Sequence, residues 1–163
     1  MSLPLKRNRN FYQGYFKPEH PEKYIGIDTP IYRSGIEWKF FRFCDSNPNV
    51  LKWSSENVKI PYWDEVTRKQ RTYYVDNFVK IREGNNIKDY LVELKDYKET
   101  QKPTPSSKKK KGSLLFEQFR WVTNNCKWRS AVAFAKSHKC EFLLLAHTEK
   151  QGFFPIKLDF LLS

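Results

Sequence analysis

Apolar positions along this chain recur first at helical and later at alternating spacing, and each change of period marks an element. Ile36, Phe40 and Phe43 form a stripe that predicts a helix from Ser34 to about Asp45, capped by Ser34 and stopped by Asn47-Pro48. Val50 to Trp53 and Val58 to Tyr62 read as short strands. Two longer strands follow, Arg71 to Ile81 and Ile87 to Lys95, joined by the hairpin turn Glu83-Gly-Asn-Asn86. Residues 97–113, with Pro103, Pro105, four lysines at 108–111 and Gly112, read as a flexible Lys-rich loop. Leu115, Phe119 and Val122 predict a helix from Ser113 to about Asn125. A second helix, Lys127 to Lys139, would turn Trp128, Ala131, Val132 and Ala135 inward, and Phe142 to Leu145 would be a short buried strand.

The two ends break this order. Residues 1–31 are basic and then interrupted by Pro18, Pro21, Gly26 and Pro30, which predicts an irregular arm. Residues 149–163 end in Leu158-Asp-Phe-Leu-Leu162, too apolar to stay in water, so this tail is expected to pack on the domain or on another subunit. Between them lies one folded domain, residues 32–148. A chain of 163 residues, 39% apolar and 17% aromatic, can build such a core.

Charge narrows the partner. Thirty basic residues against 18 acidic give +12, which favours a polyanion, either nucleic acid or an anionic membrane surface. No apolar run approaches the roughly 20 residues that span a bilayer, and no hydrophobic block follows the basic start, so no signal peptide and no membrane partner are expected. Cys44, Cys126 and Cys140 are too few and too scattered for a disulfide framework or a zinc site, and suit a reducing compartment. His138-Lys-Cys140 is only a weak pair of metal ligands. Trp53, Trp63, Arg68 and Arg71 could line a DNA groove, although tryptophan is more often buried.

Candidate chemistry centres on the two long strands. Glu93 and Lys95 sit two apart, so they share one face of their strand, and Asp76 lies in the strand before. Folding the pair about a turn centred near Asn85 brings Asp76 opposite Glu93. Two carboxylates that close repel unless a proton or a cation separates them. Mg²⁺ fits, because it takes one or two carboxylates and leaves room for water and phosphate. Lys95 could then hold an attacking water or offset phosphate charge. The pattern Glu-x-Lys proves little alone: it occurs twice, Glu37-Trp-Lys39 and Glu93-Leu-Lys95, against about 1.4 expected by chance. A solvent-facing ion pair explains Glu93 and Lys95 as well. Glu37, three residues after Ser34, fits a capping box as readily as catalysis.

The ordered blocks Tyr32-Arg-Ser-Gly-Ile-Glu37-Trp-Lys-Phe-Phe41, Asn47-Pro-Asn-Val50, Trp53-Ser-Ser-Glu56, Ile60-Pro-Tyr62, Arg71-Thr-Tyr-Tyr-Val-Asp76 and Val92-Glu93-Leu-Lys95 resemble the head completion nucleases of T-even-like tailed bacteriophages. That family is similar to the PD-(D/E)XK, restriction-endonuclease-like superfamily, with transposon end-cleaving endonucleases among its relatives. The resemblance covers about residues 32–148. It implies an α/β fold with a mixed central β-sheet flanked by helices. It further implies Glu37, Asp76, Glu93 and Lys95 as catalytic residues, with Asp76 and Glu93 holding Mg²⁺ or Mn²⁺, and adds Lys127 near the start of a later helix. Val75 replaces the proline of the superfamily pattern, and Asp96 follows the lysine where proline is more usual. The implied activity is cleavage of double-stranded DNA during virion maturation. The implied partners are portal or neck proteins, and the implied places are the head–neck region and the host cytoplasm during assembly. The competing reading keeps the fold without the chemistry, as a DNA-gripping neck or portal adaptor.

Overall fold

The computed structural model describes residues 13–162. The basic stretch 1–12 of the expected arm lies outside the described residues. The remainder of that arm is mostly without regular structure but carries two short paired strands and one helical turn. Strand β1 (Gly14–Tyr15) pairs antiparallel with β2 (Ile31–Tyr32), and a single 3-10 turn spans Pro21–Lys23. The reason is apolar: Phe16 buries against Phe41 and Trp53, and Tyr24 meets the Trp53 ring edge-on at 4.7 Å. Buried Asp45 accepts the N–H groups of Glu19 and His20 at 2.8 and 3.0 Å, which fastens the arm at its polar end.

Helix α1 (Gly35–Ser46) starts where expected, with the Ser34 hydroxyl accepting the Glu37 N–H at 3.2 Å. Its buried face is Phe40, Phe41 and Cys44, whereas Phe43, expected inside, is 41% exposed. The stripe is rotated by about one position because the arm covers the Phe41 side of the helix.

Seven strands follow: β3 (Val50–Ser55), β4 (Lys59–Asp64), β5 (Lys69–Tyr74), β6 (Asn77–Glu83), β7 (Asn86–Asp96), β8 (Glu141–Thr148) and β9 (Gly152–Pro155). Five of them form one sheet in the order β3-β6-β7-β8-β9, with only β7 and β8 parallel. This is the mixed sheet expected. The hairpin β6–β7 closes through Gly84 at φ 60°, the left-handed conformation that a two-residue hairpin turn asks of glycine. Strand β7 is central, and Leu91 through Leu94 are buried without alternation because both faces are covered.

The strand expected from Arg71 to Ile81 is two strands in different sheets. β5 pairs with β4 as a separate two-stranded ribbon, and the chain crosses into the main sheet at Val75-Asp76. Asp76 causes the break: its carboxylate, not a backbone carbonyl, takes the Leu94 N–H at 2.8 Å. Val75 is fully buried there and donates its N–H to the Val58 carbonyl at 3.0 Å.

The parallel β7–β8 pair requires a crossover, supplied by one unbroken helix, α2 (Lys111–Ser137), where two helices were expected. Nothing between Asn125 and Lys127 breaks it, and Asn125 donates its side-chain N–H to the Trp121 carbonyl at 2.7 Å. At 27 residues α2 is about 40 Å long, against about 26 Å for β8. Its first turns therefore reach past the sheet, and the stripe Leu115, Phe119, Val122 is exposed. Farther on, Trp128, Ala131 and Ala135 are buried as expected, while Val132 faces out at 37% exposure. The apolar tail packs on this same chain. β9 extends the sheet, and the 3-10 turn Asp159–Leu162 places Leu161 in a cluster with Trp128 and Leu144, with Phe160 stacked on Trp121 at 5.6 Å. Among the described residues no helix is long and apolar enough to cross a membrane.

The packing of the arm is testable. Phe16→Ala should cost about 3 kcal/mol, the usual loss for emptying a phenylalanine site, read as a lower urea midpoint. An unchanged midpoint would mean that the arm adds nothing to the core.

Candidate active site

Helices cover both faces of β7, but not with the same chemistry. Val92 and Leu94 point into the cluster under α1, and Leu91 points into the cluster under α2. By alternation Glu93 and Lys95 share the α2 side with Leu91. The register Asn77↔Val92, continued by one residue, brings Asp76 opposite Glu93, as the sequence predicts. The three side chains meet at the end of β7 where β6 peels away.

The Lys95 ammonium lies 3.2 Å from a Glu93 oxygen. The other Glu93 oxygen accepts the Tyr73 hydroxyl in a very short hydrogen bond. Asp76 is held by the Leu94 N–H and keeps some access to a cleft of about 650 Å³. That cleft is lined by Tyr62, Gln70, Arg71, Tyr73, Asp76, Glu93, Lys95 and Lys127, among others. It is not the largest: a cavity of about 900 Å³ is lined by Asp96, Glu99, Lys102, Lys109, Glu117 and Arg120, but its charges are mixed and Lys109 is already paired with Glu117 at 2.9 Å.

Electrostatics sets the chemistry of the smaller cleft. Burial, and then the Glu93 charge, drive the Asp76 carboxyl well above the ordinary carboxylate range, and Lys95 and the Leu94 N–H offset only part of this. Burial alone would lower the Lys95 ammonium, but Glu93 and Asp76 outweigh it and raise it, so Lys95 stays protonated. Burial and the same two carboxylates push the Tyr73 phenol far up, leaving it a neutral donor. Two carboxylates therefore share one ammonium. When both are ionised the deficit is one positive charge, which a proton on Asp76 or a divalent cation with water and phosphate ligands would supply. Among the described residues no group of three His, Cys, Asp or Glu side chains could hold a metal ion.

Glu37 does not line this cleft. Its carboxylate accepts the Arg33 N–H in a short bond that closes the cap of α1, and it faces the Arg33–Glu56 ion pair. Burial raises its carboxyl, and its charge adds to the repulsion felt by Asp76. Lys127 does line the cleft. Its ammonium sits 5.7 Å above the Tyr73 ring and 6.0 Å above Tyr62, and it forms no ion pair among the described residues. Reasoning from sequence missed Tyr73. It stands three residues from Asp76, a spacing that would put it on the opposite face of one continuous strand, and only the break at Val75-Asp76 turns it inward.

A mixed α/β sheet that ends in Asp, Glu and Lys above a basic cleft defines a restriction-endonuclease-like domain. The family model described as the TnsA-like endonuclease N-terminal domain matches residues 47–147. The chain is also similar to a head completion nuclease of Enterobacteria phage T4, at 33% identity over 141 residues, covering 82% of this chain and 90% of that protein. No solved structure matches. The chain therefore belongs to the TnsA-like endonucleases and shares a family with the phage head completion nuclease. Asp76, Glu93, Lys95 and Lys127 fall within the matched span, and Glu37 precedes it.

The charge deficit gives a signed prediction. A carboxyl whose folded pKa lies above its unfolded one destabilises the fold once pH exceeds the unfolded value. In metal-free protein at pH 7, Asp76→Asn should therefore raise Tm, by about 3 °C for about 1 kcal/mol. The gain should vanish near pH 3, where the wild-type carboxyl is protonated in both states. A lower Tm at pH 7 would show that Asp76 is not under repulsion.

Proposed function

We propose that this chain is a divalent-metal-dependent endonuclease for double-stranded DNA, acting when phage heads are completed, at the vertex through which DNA is packaged. The observation that carries the reading is the pair Asp76 and Glu93, crowded in a basic cleft with one ammonium between them. Membership of an endonuclease family supports the activity. The relative named for head completion supports the setting, and with it portal or neck proteins as partners, the virion as location and the host cytoplasm during assembly.

In this reading Asp76 and Glu93 would hold Mg²⁺ or Mn²⁺. The bound ion would polarise a phosphoryl oxygen and ease loss of a proton from water. The chain's own side chains do the rest. Tyr73 ties down one Glu93 oxygen and so fixes the rotamer of that carboxylate. Lys95, being protonated, has no lone pair with which to take a proton. Its ammonium donates hydrogen bonds, to the attacking water or to the phosphate oxygen on which charge grows. Lys127 is positioned to receive the phosphate diester, because among the described residues no carboxylate pairs with it and aromatic rings hold its ammonium in the cleft. Glu37 acts as a positioning residue, through the cap of the helix that covers the opposite face of β7.

Purified protein with Mg²⁺ or Mn²⁺ should convert supercoiled plasmid to nicked and linear forms, and chelation should stop it. Asp76→Asn, Glu93→Gln and Lys95→Ala should each lower the rate at least about 100-fold with the fold retained by circular dichroism. Glu37→Gln should lose less. Wild-type protein that binds duplex DNA yet cleaves none under any divalent metal would favour the adaptor reading.

A further inference from the structure

The ribbon β4–β5 is not needed to complete the main sheet, yet it is firmly braced. Its inner side chains Ile60, Tyr62 and Tyr73 bury against Cys126, Ala131 and Ala135 of α2. At its tip buried Asp64 accepts the Val66 N–H at 3.1 Å, the Thr67 hydroxyl at 2.8 Å and the Thr123 hydroxyl of α2 at 3.0 Å. At its base Val75 bonds to Val58. The pairings Lys59↔Tyr74, Pro61↔Thr72 and Trp63↔Gln70 set those six residues on the outer face, all of them exposed, with Trp63 at 46% and Tyr74 at 51%. Exposed aromatics on so rigid an element are not packing the core.

We propose that this ribbon docks in a groove of duplex DNA beside the cleft, with Lys59, Trp63, Gln70 and Tyr74 on the DNA and Arg71 at the phosphate nearest the catalytic carboxylates. The inference rests on the endonuclease reading and gives it a substrate-docking surface. Three features commit the surface to DNA. Its charge leans positive: Lys59, Arg68, Lys69 and Arg71 are all exposed on the ribbon beside one exposed acid, Glu65, with Arg71 standing 3.7 Å from buried Asp64 and Lys59 sharing a pocket with Asp28 and Glu56. Its dimensions fit, because two strands of six residues make a ribbon about 20 Å long, and a major groove about 12 Å wide admits a two-stranded ribbon. It is continuous with the site, since Gln70, Thr72 and Tyr74 also line the cleft of Asp76 and Glu93. The Lys59 ammonium lies 5.7 Å from the Tyr74 ring centre, which places a cation and a flat apolar ring side by side, the pairing that phosphate and sugar present in return.

The test reads DNA binding apart from cleavage. Fluorescence anisotropy of a labelled duplex, titrated in EDTA, compares the full-length wild type with Lys59→Ala/Trp63→Ala/Tyr74→Ala, with Gln70→Glu, and with Lys157→Ala as a remote basic control. The triple variant should weaken Kd at least tenfold and Gln70→Glu at least fivefold, while Lys157→Ala stays within twofold. Gln70→Glu is a single exposed change, so it decides the matter if the triple variant melts early. Kd values within twofold of wild type for a folded triple variant or for Gln70→Glu overturn the proposal. So does a loss seen with a single-stranded oligonucleotide but not with the duplex. Plasmid nicking is scored separately, so a wild type that never cleaves sinks the endonuclease reading and leaves the binding comparison to judge the ribbon.

Discussion

Everything around the cleft answers to the repulsion between Asp76 and Glu93. Two carboxylates in a partly dry pocket are an unfavourable arrangement, and a fold keeps one only if the backbone leaves neither side chain free to swing away. Asp76 is held by the Leu94 N–H, a donor stranded where β6 departs from the ladder. Glu93 is held from two sides, by Lys95 and by the Tyr73 hydroxyl. The restraints come from two elements, the Leu94 N–H and Lys95 from β7 and Tyr73 from β5 of the separate ribbon, while Asp76 itself stands just ahead of β6. The site exists because these three stretches of chain converge on it, and none of them alone would force the two charges together.

That convergence explains why the long helix and the ribbon belong to the site although neither supplies a carboxylate. Tyr73 can reach Glu93 only because the ribbon is pressed on α2 through Ile60 and Tyr62 and latched to it by Asp64 and Thr123. The same helix brings Lys127 over the Tyr73 ring. A change at the Thr123–Asp64 latch would thus be felt some distance away, at the rotamer of Glu93. The packing is doubly used: it buries apolar surface and fixes the geometry of charge.

Much of this was legible in the sequence, for definite reasons. The turn Glu83-Gly84-Asn85-Asn86 fixes the hairpin register, and register is arithmetic, so Asp76 opposite Glu93 followed from counting. The start of α1 was legible from Ser34 and Glu37, because a capping box is local chemistry. What failed were judgements that depend on distant partners. Arg71 to Ile81 alternates as one strand would, and nothing local says that Asp76 prefers the Leu94 N–H to its place in a ladder. The buried stripe of α1 shifted because Phe16, from an arm read as irregular, occupies one side of it. The exposure of Leu115, Phe119 and Val122 could not be read either, since helical spacing reports a face and not what lies beneath it.

Glu37 shows how the two kinds of reading divide. Sequence resemblance names it as a third acid, whereas the structure gives its carboxylate work at the start of α1, outside the cleft and ahead of the span shared with the endonuclease family. These roles are compatible through charge. A carboxylate that caps α1 contributes a field at Asp76 even without touching the cleft, and the direction of that field is repulsive. It deepens the shortage of positive charge between Asp76 and Glu93. The helix cap therefore acts in the same sense as the crowded pair, raising the demand for a cation in the one place where a phosphate diester, guided by Lys127 and Arg71, would meet it.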